Sequence, residues 1–299
     1  MIVSSGRSAI SMPTIISEIT EFCKRFYPNL IESDTSVLGD RTIDILIPEV
    51  NFGIIYAGLY THSDLKGKDC RYFSKLTSDA NEKNIRIIHI YEDEWRDKRK
   101  IIESIICARI NKVKYKIYAR KCEIANVHKD IAKEFMFQNH IQKYNPATNF
   151  GLYYENELLC VLSMGKSRFN KKIEWEIVRF CSKINYQVVG GFSKLYKFFV
   201  DQYNPNTVMT YADAKFGEGK VYSGCGFTFT HKADSNYFYI VDGYRLSRQK
   251  YQKHNLITLL ETFDPNITEW QNMVANGYDR IWDCGNYVFT WAKPQIAEE

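Results

Sequence analysis

The sequence predicts two α/β units in series, and three observations carry that expectation. The chain has 299 residues, beyond the size one hydrophobic core ordinarily serves. Hydrophobic residues are 45% and charged residues 25% of it, the balance of a globular chain rather than a disordered or collagen-like one. Apolar residues recur every second position in some segments and at helical spacing in others, and the two kinds of segment alternate. A basic stretch from Tyr115 to Ile124 bridges the halves, so the units are expected at residues 1–125 and 126–299.

Taken in order, Ser11 to Phe26 is expected to be a helix, because Ile15, Ile19, Phe22 and Phe26 fall on one side after a Ser-Met-Pro start. Glu32 to Thr35 reads as a turn. Thr42 to Pro48 reads as a strand that stops at a proline, and Val50 to Tyr56 as its hairpin partner. Ser63 to Lys68 is a charged loop, Arg71 to Asn84 a helix, Ile85 to Tyr91 a buried strand, and Asp97 to Arg109 an amphipathic helix. The second unit opens with a helix from Val127 to about Asn139, a strand pair within Gly151 to Met164, and a strand from Glu174 to Phe180. A Val-Val-Gly-Gly turn leads into a helix from Ser193 to Val200. Strands follow at Thr207 to Tyr211, around Phe227, and at Tyr237 to Val241. Past Arg248 the chain turns helical, and Tyr278 to Trp291 reads as an aromatic hairpin.

No apolar run reaches the roughly 18 residues of a membrane span, and Met1 is not followed by a basic start and an apolar stretch, so a cytoplasmic protein is expected. The eight cysteines form no C-x-x-C pair, which argues against a zinc knuckle or a disulfide framework. The net charge of +5 is compatible with a nucleic-acid partner without requiring one.

Chemistry is concentrated in two constellations. In the first, Asp44 sits among apolar neighbours in Ile43-Asp44-Ile45-Leu46-Ile47-Pro48, where a buried carboxylate must be paired, capped or liganded. His62 follows Gly58-Leu59-Tyr60-Thr61, at the far end of the next strand. An exposed-face aspartate and a loop histidine are the plain alternative. These runs, with Ile87-Ile88-His89-Ile90-Tyr91-Glu92-Asp93-Glu94-Trp95, Ile117-Tyr118-Ala119-Arg120-Lys121-Cys122 and Gly277-Tyr278-Asp279-Arg280-Ile281-Trp282-Asp283-Cys284-Gly285-Asn286, resemble the phage homing endonucleases of the EDxHD group. That group is related to the very short patch repair nuclease within the PD-(D/E)xK superfamily. The resemblance implies a restriction-endonuclease-like mixed sheet, cleavage of double-stranded DNA with a divalent metal such as Mg²⁺, and the cytoplasm of a host cell as its place. It makes Asp44 the metal ligand, His62 the catalytic histidine, and Glu18 (or the position of Ile16) the match for the family's helical glutamate. The chain departs from the pattern at Ile55, where the family carries a Glu, at Tyr72-Phe73, where an aromatic-His pair is usual, and at Thr42. Isoleucine cannot bind a cation and phenylalanine cannot move a proton. Asp64, Asp69 or Glu92 would have to fill the place at Ile55, and a degenerate, DNA-binding nuclease is the alternative.

The second constellation is Val188-Val189-Gly190-Gly191-Phe192-Ser193, a strand that ends in two glycines before a helix. Such a turn turns backbone N–H groups toward an anion, or merely permits a tight bend. With Gly151-Leu152-Tyr153-Tyr154, Leu158-Leu159-Cys160-Val161, Thr210-Tyr211-Ala212-Asp213 and Gly219-Lys220-Val221-Tyr222-Ser223-Gly224-Cys225-Gly226-Phe227, it looks like an N-acetyltransferase (GNAT-like) layout, with its nearest echo in the Mom-type DNA-modification branch of phages. That resemblance implies a cofactor-phosphate cradle at Gly190 and Gly191, Asp213 and Tyr222 as site residues, and a nucleobase-modifying transferase as a further alternative.

Three basic clusters offer themselves to DNA phosphates. They hold Lys116, Arg120 and Lys121 (beside Lys112, Lys114 and two tyrosines), Lys166 and Arg168, and Arg245, Arg248 and Lys250. A solvated helix face is the plain alternative for each.

Overall fold

The computed structural model describes residues 14–145, 147–168 and 170–294. The front unit runs α1 (Ile15–Lys24), β1 (Ile31–Asp34), β2 (Ile43–Ile47), β3 (Phe52–Ala57), α2 (Tyr72–Glu82), β4 (Arg86–Tyr91) and α3 (Glu92–Arg109). Its sheet has the order β1-β2-β3-β4, antiparallel through β3, with β4 parallel to β3. Alternation along the strands divides two apolar layers. Ile45, Ile47, Ile54, Ile88 and Ile90 meet Ile19, Phe22 and Cys23 of α1 and Ile102 and Ile106 of α3. Ile55, Ala57, Ile87 and Tyr91 meet Phe73, Leu76 and Ala80 of α2 on the other face.

Local sequence accounts for the boundaries. Thr14 caps α1 by accepting from the Ser17 N–H; Ser11 to Pro13, where that helix was expected to begin, lie outside the described residues. The helix α3 starts five residues before the expected Asp97. Glu92, Asp93 and Glu94 load its first turn with negative charge, and Glu94 accepts from the Tyr91 N–H. A non-helical Lys98 (φ −132°, ψ 32°) kinks it, which broke the apolar period read from the sequence. The expected turn at Glu32 to Thr35 is mostly strand β1: its ladder to β2 supplies hydrogen bonds that its polar composition concealed.

The second unit contains β5 (Tyr115–Tyr118), β6 (Glu123–Asn126), α4 (Lys129–Asn139), β7 (Thr148–Tyr154), β8 (Glu157–Lys166), β9 (Trp175–Ser182), β10 (Tyr186–Val189), α5 (Gly191–Tyr203), β11 (Thr207–Asp213) and α6 (Lys220–Ser223). It continues with β12 (Thr228–Ala233), β13 (Tyr237–Val241), β14 (Tyr244–Ser247), α7 (Lys253–Leu259), α8 (Glu269–Ala275), β15 (Asp279–Trp282) and β16 (Asn286–Ala292). Seven strands form one sheet in the order β12-β16-β11-β9-β8-β7-β6, in which β9 and β11 are the parallel pair. On one face α5 buries Phe192, Leu195, Tyr196 and Phe199 against Phe150, Leu162, Met164 and Val208. On the other, Ala132 and Met136 of α4 meet Val161 and Cys181. Each such fully buried large apolar side chain contributes roughly 1.5–3 kcal/mol.

Two sequence expectations meet this topology differently. The basic stretch 115–124 does not hang between units: β5 pairs in parallel with β10 and β6 forms an edge of the large sheet. The aromatic hairpin at Tyr278 to Trp291 is not a hairpin. Its halves join different sheets, β15 pairing with β13 and β16 lying between β11 and β12. Residues 234–285 thus form an insertion, and Ile240, Ile281 and Cys284 from it complete the α2-side core of the front unit.

Candidate functional site

The front-unit residues of the nuclease expectation are not assembled as a metal centre. The Asp44 Oδ2 accepts from the Tyr56 N–H at 2.7 Å, while burial pushes the carboxyl up from its ordinary value. His62 lies 5.9 Å from the Phe73 ring and 6.0 Å from Tyr72, with its Nδ1 at 3.1 Å from Thr61 Oγ1. Burial, reinforced by Lys68, pushes this imidazole toward the neutral form. Glu18 is engaged elsewhere, accepting from Trp95 Nε1 at 3.0 Å and Arg99 Nη1 at 2.7 Å to tie α1 to α3. Ile55 and Phe73 are 2% and 1% exposed, an apolar plug where the family's polar groups would be. The carboxylates that could replace them are occupied. Asp64 binds Arg280 and Trp282, Asp69 binds Arg71, and Glu92 accepts from the Leu59 N–H. Among the described residues no group of three or more His, Cys, Asp and Glu side chains could hold a metal ion.

The second unit offers a different opening. The strands β9 and β11 are registered only through Val208–Trp175, Met209–Glu176 and Thr210–Ile177, yet β9 continues to Ser182 and β11 to Asp213. Past that point the parallel strands part, and β9 keeps an edge of unpaired backbone facing the gap. A cavity of about 790 Å³ occupies it, lined by residues 176–180 and 210–213, by residues 216–222 and by Arg86, Arg109 and His140. Asp213 and Tyr222 both line this cavity. Burial raises the Asp213 carboxyl, against the opposing pull of Lys215, whose N–H donates to Asp213 Oδ1 at 3.1 Å. Burial likewise raises the Tyr222 phenol, which is hydrogen-bonded to Thr210 and packed on Phe192, Phe227 and Phe289. The His140 imidazole, also on this lining, is lowered to about 4 by burial and then by Arg179.

Gly190, in the left-handed region at φ 77°, and Gly191 open the 13-residue α5. The next groove is lined by Tyr118, Arg120, Gly190, Ser193 and Lys197, so one predicted basic cluster and the predicted glycine turn are neighbours. Lys194 is spent on the carbonyls of Ala119 (3.0 Å) and Cys122 (2.5 Å), pinning the turn. The Arg120 guanidinium stands over Tyr118. A cofactor phosphate fits here: there is open space at Gly190, whose added Cβ would find only Ala119 Cβ at 3.8 Å, and the first N–H groups of the helix lack intrahelical acceptors.

The other basic residues are distributed as follows. Lys116 and Lys121 are exposed, on β5 and the turn after it. Lys166 pairs with Glu174 and lies over Trp175, and Arg168 binds the buried Glu176 at 2.7 Å. Arg245, its side chain 12% exposed, is bound to Asp93 at 2.9 Å and Glu94 at 2.7 Å. Arg248 and Lys250 lie over Tyr237 and Tyr251.

No family model and no curated protein matches the chain. Solved structures it is similar to include acetyltransferases. A ribosomal-protein alanine N-acetyltransferase of Escherichia coli is 10% identical with a TM-score of 0.34, covering 60% of this chain and 97% of its own. An IAA acetyltransferase of Bacillus cereus is 12% identical with a TM-score of 0.34, covering 57% and 99%. A GNAT family acetyltransferase of Elizabethkingia anophelis, solved with acetyl-CoA bound, is 11% identical with a TM-score of 0.31, covering 58% and 99%. The expectation of a PD-(D/E)xK homing endonuclease, and with it hydrolase activity and Mg²⁺, is corrected: among the described residues no group of three or more His, Cys, Asp and Glu side chains could hold a metal ion, and Asp44 accepts from a backbone N–H instead. Ile55 and Phe73, buried where the resemblance required polar side chains, are the physical reason. Among the described residues no helix is long and apolar enough to cross a membrane.

Proposed function

We propose that the chain is an acyltransferase of GNAT-like layout that takes its acyl group from an acyl-CoA thioester. The observation that carries this reading is the parallel β9–β11 pair that parts after three registered residues, beside a glycine turn that opens a long helix. A linear amide chain can add to the free edge of β9 as a further strand, while phosphates rest on the Gly190–Gly191 turn with Arg120 beside it. When bound, the thioester supplies an activated acyl group. Residues of the cavity then handle protons. The Asp213 carboxylate, made more basic by burial, accepts the proton of the attacking acceptor as the carbonyl carbon–sulfur bond gives way to a bond with that acceptor. The Tyr222 hydroxyl, held toward Thr210, donates a proton to the departing thiolate.

Calorimetric titration with coenzyme A tests the donor site. Wild-type protein is expected to bind it, and Gly190→Asp, which strains the left-handed backbone and places a negative charge in the cradle, is expected to bind at least tenfold more weakly, whereas Gly190→Asn, with the same strain and no charge, is expected to bind within a few-fold of the wild type. Tyr222→Phe should keep the affinity and lower the release of free thiol from acetyl-CoA by about a hundredfold. Absence of binding by the wild type, or equal binding by Gly190→Asp, overturns the reading.

A further inference from the structure

The cavity between the units contains a cation that no group among the described residues answers. Arg109, the last residue of α3, reaches from the front unit to the loop after β11: both its terminal nitrogens lie 3.8 Å from the position of a Cβ on Gly217. Among the described residues it has neither an ion pair nor a hydrogen bond, although its surroundings are crowded enough that burial lowers its affinity for the proton, with the neighbouring Arg86 lowering it further. Arg86 is almost as little engaged, with one long donation (3.4 Å) to the Val50 carbonyl. The nearby carboxylates are committed to other partners. Glu218 pairs with Lys220 at 3.0 Å, Glu176 with Arg168, and Asp213 accepts from the Lys215 N–H. On a further wall of the cavity Arg179 gives one nitrogen to the Val178 carbonyl at 2.6 Å, and its buried Nε has no partner among the described residues.

An unpaired guanidinium drawn out of water costs stability, and the exposed Arg86 at its side adds like-charge repulsion. Folded chains retain such charges where a ligand completes them. The fork of an arginine matches the two oxygens of a carboxylate or phosphate. We propose that Arg109 and Arg86 form an oxyanion site, binding a phosphate or carboxylate group of the molecule that enters the cavity. On the acyl-transfer reading, from which the ligand's identity as acceptor derives, the front unit thereby selects an anionic acceptor.

The test uses the full chain and no thioester, so its result stands apart from that of the donor experiment. Thermal midpoints are measured at constant ionic strength in inorganic phosphate, in succinate and in chloride. Phosphate or succinate, whichever represents the bound group, is expected to raise the wild-type midpoint by several degrees more than chloride does, and the half-saturating concentration is expected to rise at least tenfold in Arg109→Gln. Without added anion Arg109→Gln should melt no lower than the wild type, because it removes an unanswered charge. Lys250→Gln, remote from the cavity, should respond as the wild type does. Equal shifts in chloride, an unchanged response in Arg109→Gln, or a marked drop in that variant's own midpoint each overturns the proposal, the last by making Arg109 a structural residue.

Discussion

His89 shows how far one residue can depart from what its sequence position suggests. It lies within β4 in a run that resembles a nuclease's, yet it is fully buried, with Nε2 at 2.8 Å from Thr77 Oγ1 and with no partner for Nδ1 among the described residues. Burial first, and Lys215 and His62 after it, lower it to about 3. The sign of the consequence is fixed: an unfolded histidine binds a proton near pH 6.5, whereas the folded one does not until about pH 3. Stability therefore falls as pH drops through that window, by about 1.4 kcal/mol per pH unit for each such group. His140, lowered to about 4, adds a second proton over most of the range. Urea unfolding measured from pH 7 to pH 4 should report a slope near two protons, and His89→Gln should remove about one of them. An unaltered slope in that variant would mean that the imidazole is not held neutral. A similar departure holds at Asp44 and Ile55. Their types and order supported a nuclease resemblance, but whether a carboxylate meets a cation or a backbone N–H is decided by side chains distant in sequence.

At the scale of elements the sequence was most legible where periodicity is long. The helices α2, α4 and α5 and the strands β2, β3, β4, β8 and β11 lie where apolar spacing put them, because one buried face dictates one period. Pairing was not legible. Nothing local distinguishes a β15–β16 hairpin from two strands sent to separate sheets, since the choice is made by the edges of β13 and β11. The Gly190–Gly191 turn was legible, whereas the role of Gly219 was not. Gly219 caps α6 at φ 70°, and a Cβ there would come within 2.6 Å of Phe289 and 3.0 Å of Ala212. Gly219→Ala combines backbone strain with overpacking and is expected to cost about 1–3 kcal/mol. It should also displace Tyr222, three residues on, so that acetyl-CoA turnover falls while coenzyme A affinity changes little. A variant as stable as the wild type would count against the close packing of α6 on β16.

The whole molecule is joined through charges that the sequence presented as a DNA surface. Arg245 bonds to Asp93 and Glu94, and Glu94 also receives the buried Lys215, so two units share one ionic knot. Burial alone would raise the Glu94 carboxyl, but Lys215 and Arg245 outweigh it and hold it below its ordinary value. Removing one member strands the others: Arg245→Ala is expected to cost about 3–5 kcal/mol. That loss should appear as a lower urea midpoint of a single transition. Stability unchanged alongside weaker binding to DNA would instead restore Arg245 to the surface role its composition suggested. The position of β16 has a different consequence. It lies in space between β11 and β12 but follows both in the chain, with the whole insertion intervening. During synthesis the exposed flank of β11 must wait for residues 286–292 to leave the ribosome, so the large sheet closes late, and chaperones that shield naked strand edges have their longest opportunity there.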